Sequence, residues 1–145
     1  MSAFPQDFEP IAELETGKTT KRWYEYFADN DAYTLYTPTV TAQAGTFTTV
    51  AGAIRYKKRG RFVFINVTVT ITTNGTAATS VLVTLPVAPT TASNQILSGR
   101  NYTAGTVIAG LISGTSSAQI LRYDATYPGA NATVLVLTGV YEAAS

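Results

Sequence analysis

A chain of 145 residues, 46% of them hydrophobic, can bury one core of ordinary domain size and is too apolar to be globally disordered. The net charge of +1 argues against a domain held to nucleic acid by bulk charge. Cys and His are both absent, which excludes disulfides, thiolate and imidazole metal sites, and His-dependent catalytic triads within the chain.

The charges segregate. Residues 1–31 carry seven acids and three bases, and residues 32–145 carry two acids and seven bases. The first part mixes proline, charge and aromatics, whereas the rest is dominated by Thr, Val, Gly and Ala. The boundary falls near Leu35–Pro38, dividing the chain into an N-terminal segment, 1–36, and a β domain, 37–145. The N-terminus has no cationic stretch and no apolar core region, so no signal peptide is expected. No apolar run approaches the roughly 18 residues of a spanning helix, so no membrane insertion is expected.

Residues 1–18 hold two prolines and little apolar periodicity, and read as extended. Thr19 or Thr20 can cap a short helix over about 19–28, with Trp23 and Phe27 at i, i+4 on one face and Tyr24 beside them. That helix is shorter than the roughly 12–15 residues an isolated helix needs. Its aromatic face therefore requires a partner, either the β domain or another protein surface.

Strand signals follow closely. Thr39–Thr48 and Val50–Lys58 are extended runs, the second closed by Arg59-Gly60. In Arg61–Thr73, Val63, Ile65, Val67, Val69 and Ile71 share one face, and Asn66, Thr68, Thr70 and Thr72 the other. This strict alternation is the mark of a strand with one face in a core. Asn74-Gly75 signals a turn, and Ser80–Leu85 forms the return strand, stopped by Pro86. Pro86–Asn94 reads as a loop. Gln95–Tyr102, Val107–Ser113 and Ala118–Tyr123 read as shorter strands, and Asp124–Asn131 as a second loop. In the last strand, Thr133–Tyr141, both faces are largely apolar, so cover is expected on both sides: a core on one, and on the other a neighbouring subunit. About eight short strands without intervening helices predict an all-β, antiparallel β-sandwich or jelly-roll-like domain.

At this point the chain resembles a family. The stretches Tyr36-Thr-Pro-Thr-Val40, Gly52–Phe64, Asn74-Gly-Thr76 and Val83-Thr-Leu-Pro86 are similar to the C-terminal β modules of bacteriophage tail-fibre and related virion appendage proteins. The ending Leu135–Glu142 fits the same pattern, and Lys21–Tyr26 is similar to the N-terminal lead-ins of short phage proteins. The resemblance implies a homotrimer of β modules. It also implies that residues 1–36 bind other virion proteins, of tail or capsid, with Trp23, Tyr24 and Phe27 as contacts to the particle or to other copies. Localisation to the virion, assembled in the bacterial host cytoplasm, follows from it.

Two groups of residues are candidate sites. Arg55, Lys57, Lys58, Arg59 and Arg61 form a basic hairpin. It suits anionic polysaccharide, lipopolysaccharide phosphate or, least well, nucleic acid; equally, it is a solvated turn that keeps sheet edges soluble. Arg100, Asn101, Tyr102, Tyr123, Asp124 and Tyr127 cluster at loop edges. Aromatic faces beside amide, carboxylate and guanidinium groups are the materials of a sugar site; the same tyrosines also suit strand-end or subunit packing. Beyond residue 31 the only acids are Asp124 and Glu142, a poor basis for the carboxylate pair of a glycosidase. No enzyme, cofactor or metal is expected. The expected function is a tail-fibre or spike adhesin that contacts host-surface polysaccharide; the alternative is an architectural head fibre, decoration or adaptor protein without a specific ligand.

Overall fold

The computed structural model describes residues 32–113 and 116–145. The helix expected over 19–28, with Trp23, Tyr24 and Phe27, lies outside them.

Alternating apolar and polar residues make the long central hairpin. β3 (Thr49–Arg59) turns at Gly60-Arg61 into β4 (Phe62–Thr73). Gly60 takes φ +58°, the left-handed conformation that a two-residue hairpin with glycine at its first position needs. Gly75, at φ +63°, carries the chain into β5 (Ala78–Thr84). A Cβ there would stand 2.7 Å from the Thr46 carbonyl oxygen, so the turn has no room for a side chain. β6 (Gln95–Asn101), β7 (Val107–Ile112), β8 (Ser117–Arg122) and β9 (Thr133–Glu142) fall on the strand runs read from the sequence, as does β2 (Val40–Ala44), which takes up only part of its expected run. A ninth strand, β1 (Thr34–Tyr36), pairs with β3 and was not anticipated: three residues are too few to show a period.

Where two face-packed sheets were expected, the strands instead form one antiparallel sheet in the order β1-β3-β4-β9-β6-β7-β8-β5-β2. Chain connectivity forces it to curl. β1 and β2 are opposite edges, yet only residues 37–39 separate them. Laid flat, nine strands would hold their edges roughly 38 Å apart, at about 4.8 Å per strand. The four Cα steps from Tyr36 to Val40 reach at most about 14 Å. The edges accordingly meet: the Tyr36 hydroxyl lies 3.1 Å from Thr84 Oγ1 on β5, which also accepts the Thr39 N–H at 2.9 Å.

The concave face is the core. It takes Ile54 from β3, alternate residues Val63 to Ile71 from β4, Leu135, Leu137 and Tyr141 from β9, Leu97, Ile108, Ile112 and Ile120 from β6 to β8, and Val81 and Val83 from β5. Leu97 packs between Gly110 and Gly139, which stand opposite one another across β6, so one large side chain fills the space two small residues leave. β9 is central, between β4 and β6. Its inner face is buried as expected, while on its outer face Val134 and Val136 are half-buried and Val140 is 44% exposed. Within the described residues, that second apolar face lacks the cover expected for it.

Candidate functional site

Three connections gather at one end of the sheet: the β4–β5 turn, the β6–β7 hairpin and the β8–β9 loop. They are locked together by polar side chains. Asn101, 1% exposed, donates from Nδ2 to the Pro128 carbonyl at 2.9 Å and accepts the N–H groups of Thr103 and Ala104 at Oδ1, 3.0 and 2.9 Å away. The Asn74 N–H donates to Asn131 Oδ1 at 2.8 Å, and the Tyr127 hydroxyl donates to Asn74 Oδ1. Burial pushes the Tyr127 phenol above its ordinary pKa, partly offset by the Asn74 contact. Asp124 accepts both the hydroxyl and the N–H of Thr126, at 2.6 and 3.1 Å, and these bonds hold its carboxyl below the ordinary range.

Of the six candidate sugar-contact residues, three therefore serve the loops themselves. Asn101 is a correction to the sequence reading: its amide is consumed by backbone groups and buried beneath the surface. Tyr127 and Asp124 are committed to Asn74 and Thr126. Arg100, Tyr102 and Tyr123 remain on the outside, the two tyrosines 71% and 80% exposed. The ladders place them side by side. Arg100 is opposite Val107 across β6–β7, and the β7–β8 ladder, which reaches Ile108 opposite Arg122, brings Tyr123 beside Val107 one residue further on. Arg100 and Tyr123 are thus two strand spacings apart, roughly 10 Å, with exposed Val107 between them. The Arg100 guanidinium lies over the hairpin turn, Nη2 3.3 Å from where a Gly105 Cβ would stand. Ser98, Arg100, Tyr102, Val136 and Thr138 line a shallow groove of about 360 Å³ here.

The basic hairpin divides between two faces. Arg55, Lys57 and Arg59 stand opposite Asn66, Phe64 and Phe62 on the outer face. Lys58 stands opposite buried Val63, on the inner side at the end of the sheet. Arg61, in the turn, pairs with Glu142 at 3.2 Å. The patch continues into an apolar row that sequence reading had not assembled. Phe64 is opposite Val140, Ile96 is opposite Leu111, and extending the β6–β9 ladder by two residues sets Ile96 beside Val140. Phe62, Phe64, Ile96 and Val140 are all exposed.

A second polar cluster was also missed. Ser80 Oγ donates to Gln43 Oε1 at 2.8 Å, and Gln119 Nε2 contacts Gln43 Oε1 at 2.8 Å and Ser80 Oγ at 3.1 Å. Its members come from β2, β5 and β8, and no local signal links residues 43, 80 and 119. Among the described residues no group of three or more acidic, His or Cys side chains could hold a metal ion, and no helix is long and apolar enough to cross a membrane.

Compared with known proteins, the chain matches no family model, no curated protein and no solved structure.

Proposed function

We propose that the chain is a structural and binding module of a bacteriophage virion, of tail-fibre or spike type, that contributes to host-surface attachment and catalyses nothing. In this reading the segment before β1, the part of residues 1–36 that the sheet does not take up, ties it to other virion proteins, and three copies assemble through the outer apolar face of β4, β9 and β6. The curled sheet then acts as a sandwich or jelly roll would, its β1-β3-β4 limb opposed to its β8-β5-β2 limb across one core.

The observation that carries the reading is the exposed Arg100–Val107–Tyr123 row with Tyr102 beside it. Phenol rings offer flat apolar area with a polar tip at small entropic cost, and a guanidinium grips carboxylate or phosphate through two N–H groups. An acidic surface polysaccharide presents pyranose faces and anions together. Asn101, Tyr127 and Asp124 fix the loops below, so the contact group is held in place before a ligand arrives.

Binding of the purified protein to host cells or immobilised surface polysaccharide is the test. Saturable binding that falls at least about tenfold in Tyr102→Ala and Tyr123→Ala, with Arg100→Ala abolishing the preference for acidic glycans, is the expected result. The exposed Phe64–Val140–Ile96 row serves equally in a second reading, an architectural head fibre or decoration protein whose surfaces serve assembly alone. That reading prevails if incorporation into particles depends on residues 1–36 while no glycan binds.

A further inference from the structure

On the outer face, four residues further along β7 and β8 from Val107 and Tyr123, Gln43, Leu82, Leu111, Ser113, Ser117 and Gln119 line a groove of about 340 Å³. The residues meet by register: Leu82 is opposite Gln119, and Gln119 is opposite Leu111. Two leucines thus flank a central amide. Ser80, fully buried beneath, ties Gln119 to Gln43 through the three hydrogen bonds described above.

The backbone has been bent to build this network. Ala42 pairs with Val81 and Ala44 with Ala78, so two residues of β5 oppose one of β2. The extra residue is accommodated by Thr79, which takes φ +72°. A β-branched residue in the left-handed region is strained, and such strain gathers where a surface must be shaped for contact. The bulge re-aims the chain so that Ser80 joins Gln43 and Gln119.

The network uses Gln43 Oε1, Ser80 Oγ and Gln119 Nε2, which leaves the Gln43 amide donors and the Gln119 Oε1 acceptor for something else. All lining groups are neutral. We propose that this groove is a second ligand subsite, and that its ligand is a neutral pyranose ring. The side-chain amides would exchange paired hydrogen bonds with vicinal hydroxyls, and Leu82 and Leu111 would meet the ring's C–H face. The absence of any cation among the lining residues sets it apart from the Arg100 group and selects against acidic sugars, whose carboxylate would be desolvated without a partner. The proposal deepens the adhesin reading and rests on it for the source of the sugar, the host surface.

The test is titration of the full chain, ¹⁵N-labelled, with neutral methyl pyranosides of gluco, galacto and manno configuration and with galacturonic acid, following the glutamine side-chain amide resonances. At least one neutral glycoside should shift the Gln43 and Gln119 signals saturably, and galacturonic acid should bind at least about tenfold more weakly. Gln119→Leu should abolish the response, and Gln43→Ala, with its backbone amide spectrum checked because Gln43 Oε1 accepts from buried Ser80, should weaken it about tenfold, the worth of one or two lost hydrogen bonds. Tyr102→Ala should leave it unchanged. No shift with any neutral sugar at tens of millimolar, or equal shifts in both glutamine variants, overturns the subsite. Shifts that persist in a protein with no affinity for host cells would instead keep the subsite and remove the adhesin reading.

Discussion

At the residue scale, the clearest consequence of burial is at Tyr141. The side chain is 1% exposed, its hydroxyl donates to the Val87 carbonyl at 2.8 Å, and burial pushes the phenol up to about 12. An unfolded tyrosine titrates near 10. Between about pH 10 and 12 the unfolded chain therefore sheds a proton that the folded chain keeps. The stabilisation is complete below pH 10 and is lost as pH rises through the folded value, by an amount on the order of 2 to 3 kcal/mol. Denaturant titrations in this window should show the fall, and Tyr141→Phe should remove most of it while costing about 1 to 3 kcal/mol at neutral pH for the unpaired Val87 carbonyl. A slope unchanged by the substitution would place the titrating group elsewhere. The same scale explains what could be read at the candidate site. Tyr102, Tyr123 and Arg100 are exposed at or beside strand ends, where the sequence had set them at loop edges. Asn101, the last residue of β6, carries no mark of its burial: an asparagine at a strand end looks identical in sequence whether its amide faces outward or caps its own hairpin at Thr103 and Ala104 and reaches Pro128 of the distant β8–β9 loop.

At the element scale, periodicity carried β4 because one of its faces is buried along almost its whole length, β9 was read from an apolar run with two apolar faces, and Gly60 and Gly75 fixed the two turns. The β5 bulge had no such signal. Glycine or asparagine marks most left-handed positions, whereas Thr79 is the residue type least suited to one. The local cost of about 1 to 2 kcal/mol exceeds the roughly 0.5 to 1 kcal/mol that glycine loses in backbone entropy. Thr79→Gly should therefore raise stability by about 0.5 to 1 kcal/mol, read as a higher denaturation midpoint at unchanged slope. Destabilisation would mean that the exposed threonine side chain contributes contacts outweighing its strain. Sheet closure was equally invisible to strand-by-strand reading, since it depends on a pairing partner for β1 that lies within β3 and on the shortness of the 37–39 link.

At the scale of the whole molecule, the informative surface is the convex face. Contiguous exposed apolar rows are candidate contact surfaces, and here Phe62, Phe64, Ile96 and Val140 lie together on neighbouring strands. Sequence reading foresaw a β9 apolar on both sides, and the structure accounts for one side with the core. The proposed homotrimer uses the other. Arg61 and Glu142, paired at the margin of the patch, would form part of a polar rim around an apolar centre, the usual anatomy of an interface. Replacing Val140 and Phe64 with serine touches no core side chain and should leave the fold intact, at a cost of about 1 kcal/mol per site for the covered half of each side chain. It should nevertheless convert trimer to monomer in light scattering at micromolar concentration. Leu137→Ala, on the opposite face of the same strand, should do the reverse, lowering stability by about 2 to 5 kcal/mol whether or not the chain associates. If the double serine variant has the same mass in solution as the parent, the convex face is not the subunit interface, and the apolar row must be assigned to a different partner.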